Sequence, residues 1–406
     1  MSSSSETNSS GNDPNNNNNN NSILGDKSTT RQVPKWLELF PLELLSKLNE
    51  KEIQSLVGLV VHKKEMDGKC KPLQKRDQKT NGPCRVISFD GGGIRTILQC
   101  VIMADIVEKY HNFLDQVDVF AGSSAGALVA TLFILGYLPR DVVNIMSMVC
   151  SNIFGQPKQG MESTSSATYS NDLIQAVFYL FLGDTKLTDL NRSLVVPALQ
   201  LAFKDNTIVR WVPRLFHNMN PTSSQDEPLK CTDTPTCSPS LELPDGTTKL
   251  KVSDLLLRTL SVPGAFPSHQ GYIDGGIFCN NPSMAAVSLA SNFKRVGTDR
   301  IVCLSFGSGL FPRAMDTKPE VKDHNMPLSG WQSSLADMYI DSSTELVHQL
   351  TGTLLSDRYH RFNPILEQEI KFDNTTEVAG LVDLAQSVVI NDQWIQEHWT
   401  KTTVSP

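Results

Sequence analysis

From Arg85 onward, short apolar runs alternate with helical ones, and three of the apolar runs end in glycine turns that carry a reactive or acidic side chain. Arg85 to Phe89 reads as a strand and is followed by Asp90 and Gly91-Gly92-Gly93. Ile94 to Tyr110 then has apolar residues at 94, 97, 98, 101, 102 and 106, the spacing of a helix. Val117 to Ala121 is a second strand that runs into Gly122-Ser123-Ser124-Ala125-Gly126, and Ala127 to Leu138 reads as a buried helix. Further strands are expected at Leu194 to Pro197, Gly271 to Ile273 and Ile301 to Phe306. Strands and helices in this rhythm build an α/β fold, a mostly parallel central sheet with helices on both faces. Ligands of such sheets sit beyond the carboxyl ends of the strands. The glycine run, the Ser124 turn and Asp274 all fall just after strands.

Ser124 occupies G-x-S-x-G between an apolar strand and an apolar helix, the context of a nucleophile elbow. Gly122 and Gly126 keep side chains out of a tight turn, and the helix that follows aims its positive end at any developing charge. Gly91-Gly92-Gly93 presents bare backbone N–H groups at a helix start, which suits an anion. Three readings of that run stay open: an oxyanion hole, the start of a dinucleotide fingerprint, and a plain turn. Thr96 stands where the fingerprint wants Gly or Ala. Asp274-Gly275-Gly276 leads into Asn280-Asn281-Pro282 and is either a turn or a carboxylate held over the sheet. A serine nucleophile needs a base. Of eight histidines none stands in a catalytic motif, His269 being the nearest to Asp274 in the chain. If no histidine serves, Asp274 must take the serine proton itself, which makes a dyad.

Taken together, Asp90-Gly91-Gly92-Gly93-Ile94-Arg95, Gly122-Ser123-Ser124-Ala125-Gly126 and Asp274-Gly275-Gly276 with Asn280-Asn281-Pro282 resemble the patatin-like phospholipase family in order and spacing. Weaker echoes are Val195-Val196-Pro197 and Leu304 to Gly309, so the resemblance covers about Val86 to Gly309. It implies a patatin-like three-layer sandwich and a Ser–Asp dyad lipid acyl hydrolase of the phospholipase A type. Ser124 would be the nucleophile and Asp274 the general base. Gly92 and Gly93 would form the oxyanion hole. Gly91, Arg95, Gly122, Gly126, Gly275 and Gly276 would support them, with Arg95 orienting the loop or binding substrate phosphate. The family uses no metal or cofactor. One departure is Thr96, where the family has glycine. A transacylase, a catalytically weak lipid-binding scaffold, a histidine-dependent triad and a nucleotide-binding protein are the competing readings.

The rest of the chain frames this core. Residues 1–32 are rich in Ser and Asn, with an unbroken run from Asn15 to Asn21, and are expected to form a disordered tail. Residues 33–80 read as an N-terminal helical segment and linker, 81–310 as the catalytic domain with a loop insertion at 218–246, and 311–406 as its C-terminal helical extension. A net charge of −7 argues against nucleic acid. Eight cysteines with no C-x-x-C argue against a disulfide scaffold or a zinc ribbon. The longest nearly uncharged apolar stretch, Ala125 to Leu138, falls short of the ~20 residues a bilayer span needs. The opening serines carry no secretory pattern. The expectation is a cytoplasmic protein, peripherally associated with a membrane or lipid-droplet surface, where it meets its glycerolipid substrate.

Overall fold

The computed structural model describes residues 39–76, 82–155, 157, 166–205, 208–219, 249–313 and 327–400. Seven strands form one sheet: β1 (Cys84–Phe89), β2 (Val119–Gly122), β3 (Ser193–Asp205), β4 (Ile208–His217), β5 (Tyr272–Asp274), β6 (Ile301–Phe306) and β7 (Tyr359–Phe362). Their order is β4-β3-β2-β1-β6-β7, with β5 added against β3. Strands β1, β2, β3, β6 and β7 pair in parallel, whereas β4 and β5 run antiparallel to β3. The helices longer than two turns are α1 (Glu50–Asp67), α2 (Ile97–Lys109), α3 (Ala125–Ile134), α4 (Pro139–Phe154), α5 (Asn171–Leu182), α6 (Val252–Leu260), α7 (Ser283–Phe293), α8 (Leu328–Leu355) and α9 (Val378–Gln386). Among the described residues no helix is long and apolar enough to cross a membrane.

The sheet is covered on both faces, and the period of two along its strands shows why. Cys84, Val86, Ile301 and Cys303 point to one side, where they meet Ala286, Val287, Ala290 and Phe293 of α7. Ile87, Phe89, Val302, Leu304 and Phe306 point to the other, into a larger core that includes α2 to α6. Every residue of β1 and β6 is therefore buried, as central parallel strands require. The layered α/β architecture expected from the sequence is present.

One feature of the sheet decides where the chemistry can lie. Strand β2 pairs with β3 only as far as Ala121 opposite Val195. β3 continues to Asp205 with β4 along its other edge. The edge that β2 leaves vacant is taken by β5, which places Asp274 opposite Ala198. Strands β2 and β5 thus lie end to end in opposite directions, with their carboxyl ends facing. The sequence pattern marked only Leu194 to Pro197 of the 13-residue β3.

At the N-terminal side, within the segment read as helical, the described residues hold a single helical turn at Leu42–Leu45 ahead of α1. Phe40 is buried against Tyr179, at 6.0 Å between ring centroids, and so belongs to the core. The Ser/Asn-rich tail and residues 220–246 of the insertion lie outside the described residues. Helix α1 supplies most of the helical part of that segment and runs to Asp67; a capping box at Asn49 and Glu52 starts it. Helix α3 stops at Ile134, four residues before the expected Leu138, because Gly136 turns at φ +84° and Pro139 opens α4.

Candidate active site

The elbow is built by close backbone contact. A Cβ at Gly126 would lie 2.5 Å from the carbonyl oxygens of Phe89 and Asp90, because the first turn of α3 abuts the end of β1. A Cβ at Gly122 would meet the backbone of Gly126 and Ala127. Between them Ser124 adopts φ 49° and ψ −128°, a sparsely populated conformation for a residue with a side chain. Such backbone costs on the order of 1–3 kcal/mol, and surrounding structure must hold it.

The head-on meeting of β2 and β5 brings the two candidate groups together. Ser124 Oγ donates a hydrogen bond of 2.6 Å to Asp274 Oδ2. The other carboxylate oxygen, Oδ1, accepts the Gly276 N–H at 2.6 Å. A Cβ on Gly275 would strike the Pro197 carbonyl oxygen, so only glycine lets this turn press against β3. Asp274 is buried with no cation beside it among the described residues, and burial raises its pKa to about 6 against the opposing pull of the Ser124 hydroxyl and the Gly276 N–H.

The glycine run closes the other side. Gly91 N–H is committed to the Asn280 carbonyl oxygen at 3.1 Å, which ties the run to the Asn-Asn-Pro segment. The N–H groups of Gly92 and Gly93 have no partner among the described residues, and both glycines line the cavity that contains Ser124. Gly93 has φ +56°, and a Cβ there would run into the Phe372 carbonyl oxygen. Thr96, the departure from the family pattern, causes no crowding: it is fully buried and its hydroxyl donates to the Gly93 carbonyl oxygen at 2.8 Å.

Two contacts that hold the site were not legible in the sequence. Asp90, just ahead of the glycines, forms a buried ion pair with Arg361 of β7, at 2.6 Å from Nη2 to Oδ2 and 3.2 Å from Nη1 to Oδ1. Burial pushes the Asp90 carboxyl up and the guanidinium opposes it. Arg361 also donates to Ser305 Oγ at 2.7 Å. The second is Thr259 of α6, whose Oγ1 accepts the Ser124 N–H at 3.1 Å. Arg361 stands 271 positions after Asp90 in a polar stretch with no motif, so no local signal could have paired them.

The cavity holds about 460 Å³. Phe154, Leu260, Val262, Phe266 and Phe372 give it apolar walls beside Ser124 and Asp274. Arg95, Arg313, Asp337, Asp341 and Glu369 form a charged side. Arg313 is engaged by Asp341 and Glu369, each at 2.8 Å. Among the described residues Arg95 Nε is buried without a hydrogen-bond partner, and burial lowers the pKa of its guanidinium. Among the described residues no histidine lines the cavity. His269 Nε2 lies 2.9 Å from Asp254 Oδ1, His348 Nδ1 lies 3.1 Å from the Tyr359 hydroxyl, and His324 is outside the described residues.

A family model described as patatin-like phospholipase matches residues 87–287, from within β1 to within α7, and so encloses the glycine run, Ser124 and Asp274. Residues 87–287 belong to the patatin-like phospholipase family. Membership supports a lipid hydrolase activity. CotR of Bacillus subtilis is 25% identical over 345 residues, covering 78% of this chain and 98% of its own length. Patatin-like protein 1 of Arabidopsis thaliana is 22% identical over 358 residues, covering 73% of this chain and 78% of its own length. VipD from Legionella pneumophila, a solved structure, aligns over 81% of this chain and 71% of its own at 10% identity, with a TM-score of 0.33, a likeness too loose to carry an argument.

Proposed function

We propose that this patatin-like protein hydrolyses fatty-acyl esters of phospholipids or other glycerolipids through an acyl-enzyme on Ser124. The observation that carries the reading is the 2.6 Å hydrogen bond from Ser124 Oγ to a buried Asp274 carboxylate, both lining a cavity with apolar walls and with no histidine among its described residues. Asp274 Oδ2 takes the hydroxyl proton as Ser124 Oγ attacks the ester carbonyl carbon. The oxyanion that forms is met by the unengaged N–H groups of Gly92 and Gly93. When the tetrahedral species collapses, the ester C–O bond breaks and the proton on Asp274 passes to the departing alkoxide. Water then attacks the acyl-serine, gives a proton to Asp274, and releases the fatty acid as Ser124 recovers its proton.

The cavity walls suit that substrate. The apolar side accepts an acyl chain, which leaves the charged side to the polar part of the lipid. Arg95, with a buried Nε lacking a partner, would hold a substrate phosphate or keep the glycine loop in place. The reaction as written calls for no metal. The lipid would be drawn from a membrane or droplet surface by a cytoplasmic protein without a spanning helix among its described residues.

The test is to incubate purified protein with mixed phospholipid and triacylglycerol vesicles, with calcium chelated, and to identify released fatty acids and lysolipids by mass. Ser124→Ala and Asp274→Asn, each shown to be folded, should lower release by roughly 10³-fold or more. Release that survives in either variant would overturn the dyad. A folded wild type that releases nothing from any lipid would overturn the hydrolase reading.

A further inference from the structure

Strained backbone has to be held, and the partner that holds Ser124 is a side chain. The preceding residue, Ser123, is anchored by its N–H to the Phe89 carbonyl oxygen at 3.1 Å. Ser124 N–H turns the other way, towards α6, and meets Thr259 Oγ1 at 3.1 Å in a fully enclosed position. Two residues further on, where α6 ends, the Ser261 carbonyl oxygen accepts the Asp274 N–H at 3.0 Å. Ser261 is itself fixed by its hydroxyl, which donates to the Leu257 carbonyl oxygen at 2.7 Å. The last turn of one helix therefore grips both members of the pair by their main chains.

We infer that Thr259 is a positioning residue of the hydrolase. Its hydroxyl fixes the strained Ser124 main chain, and through the shared end of α6 it sets the reach from Ser124 Oγ to Asp274 Oδ2. This rests on the dyad reading given above. The physical need is clear. An N–H enclosed in protein without an acceptor is costly, so loss of the hydroxyl favours a turn of the Ser124 peptide towards some other acceptor. That turn carries Oγ with it, and a displacement of ~1 Å at a reacting group costs up to ~10²-fold in rate.

Thr259→Val keeps the shape and deletes the acceptor, whereas Thr259→Ser keeps the acceptor and deletes a methyl group. In the full chain, with a soluble short-chain ester as substrate, Thr259→Val should lower kcat by ~10- to 100-fold and leave KM within about twofold. Thr259→Ser should stay within about threefold of wild type in kcat. Unchanged kcat in Thr259→Val overturns the proposal. So does a loss in Thr259→Ser equal to that in Thr259→Val, since the methyl group would then be what matters. A crystal structure of Thr259→Val answers the same question without any turnover. Separation of Ser124 Oγ from Asp274 Oδ2 supports the proposal, and retention of the 2.6 Å contact overturns it, even if the wild type proves to hydrolyse no ester.

Discussion

At the scale of single residues, Asp274 faces conflicting demands. As an acceptor it must be ionised, yet it is buried with no cation at hand among the described residues, and its pKa rises from 3.8 to about 6. Activity should therefore titrate with it: kcat/KM on a soluble ester should fall about tenfold per pH unit below about pH 6 and be flat above. A profile without an acidic limb in that region would remove Asp274 as the base. The same shift has a consequence for stability. The folded value lies above the unfolded one, so the favourable contribution is fully present below about pH 4 and is lost as pH rises through about 6. Two units correspond to ~3 kcal/mol. Asp274→Asn cannot ionise, so it should be more stable than wild type by up to ~3 kcal/mol above pH 6, with the gap closing towards pH 4. Urea unfolding of both proteins at several pH values measures that gap, and an Asn variant less stable than wild type at neutral pH would contradict the burial argument. Ser124, at φ 49°, is a second place where function is kept at a cost in stability.

At the scale of elements, the loop that carries Gly92 and Gly93 is fixed from segments far away in the chain. Asp90 is gripped by Arg361 of β7, Ile94 N–H donates to the Phe372 carbonyl oxygen at 2.7 Å, and Gly91 N–H to that of Asn280. Arg361→Met strands the Asp90 charge in the interior and should cost ~3–5 kcal/mol in denaturant unfolding. Adding Asp90→Asn removes the stranded charge and should restore part of that loss. If the double variant is no better than the single one, the ion pair is not what Arg361 supplies. These elements also mark how far the sequence could be read. Gly93, Gly122, Gly126 and Gly275 each approach another stretch of backbone so closely that a Cβ would block it, which is why spacing alone exposed them. Strand–helix alternation likewise located β1, β2, β5 and β6 to within two residues at each end. Thr259 and Arg361 stayed hidden because each acts across the fold on a partner with which it shares no pattern. Long β3 was cut short in the reading because its distal half is only partly buried, so its residues show no continuous apolar run.

At the scale of the whole molecule, the stretch after Gly309 looked like helical finishing of a core and turned out to complete the sheet. Strand β7 pairs with β6, and Phe362 stacks on Phe306 at 5.6 Å between ring centroids. Leu381 and Ala385 of α9 join the core that holds α2, and Trp399 stacks on Phe113 at 4.7 Å. Without residues beyond 309, β6 would become an exposed edge, Asp90 would lose Arg361, and Ile94 would lose its acceptor. Leu355, Phe362, Leu366, Leu381, Ile395 and Trp399, all buried, would be gone. At ~1.5–3 kcal/mol for each large apolar side chain, their removal costs on the order of 10 kcal/mol. A whole domain has only ~5–15 kcal/mol to lose. A chain ended at Gly309 should accordingly fail to fold, although it retains Ser124, Asp274 and the full segment matched by the family model. Expression of residues 1–309 beside the full chain tests this: the expected product is insoluble or lacks a cooperative unfolding transition. A soluble 1–309 fragment that unfolds cooperatively and hydrolyses esters would show that the catalytic unit ends before β7, and that the Asp90–Arg361 pair belongs to an accessory segment.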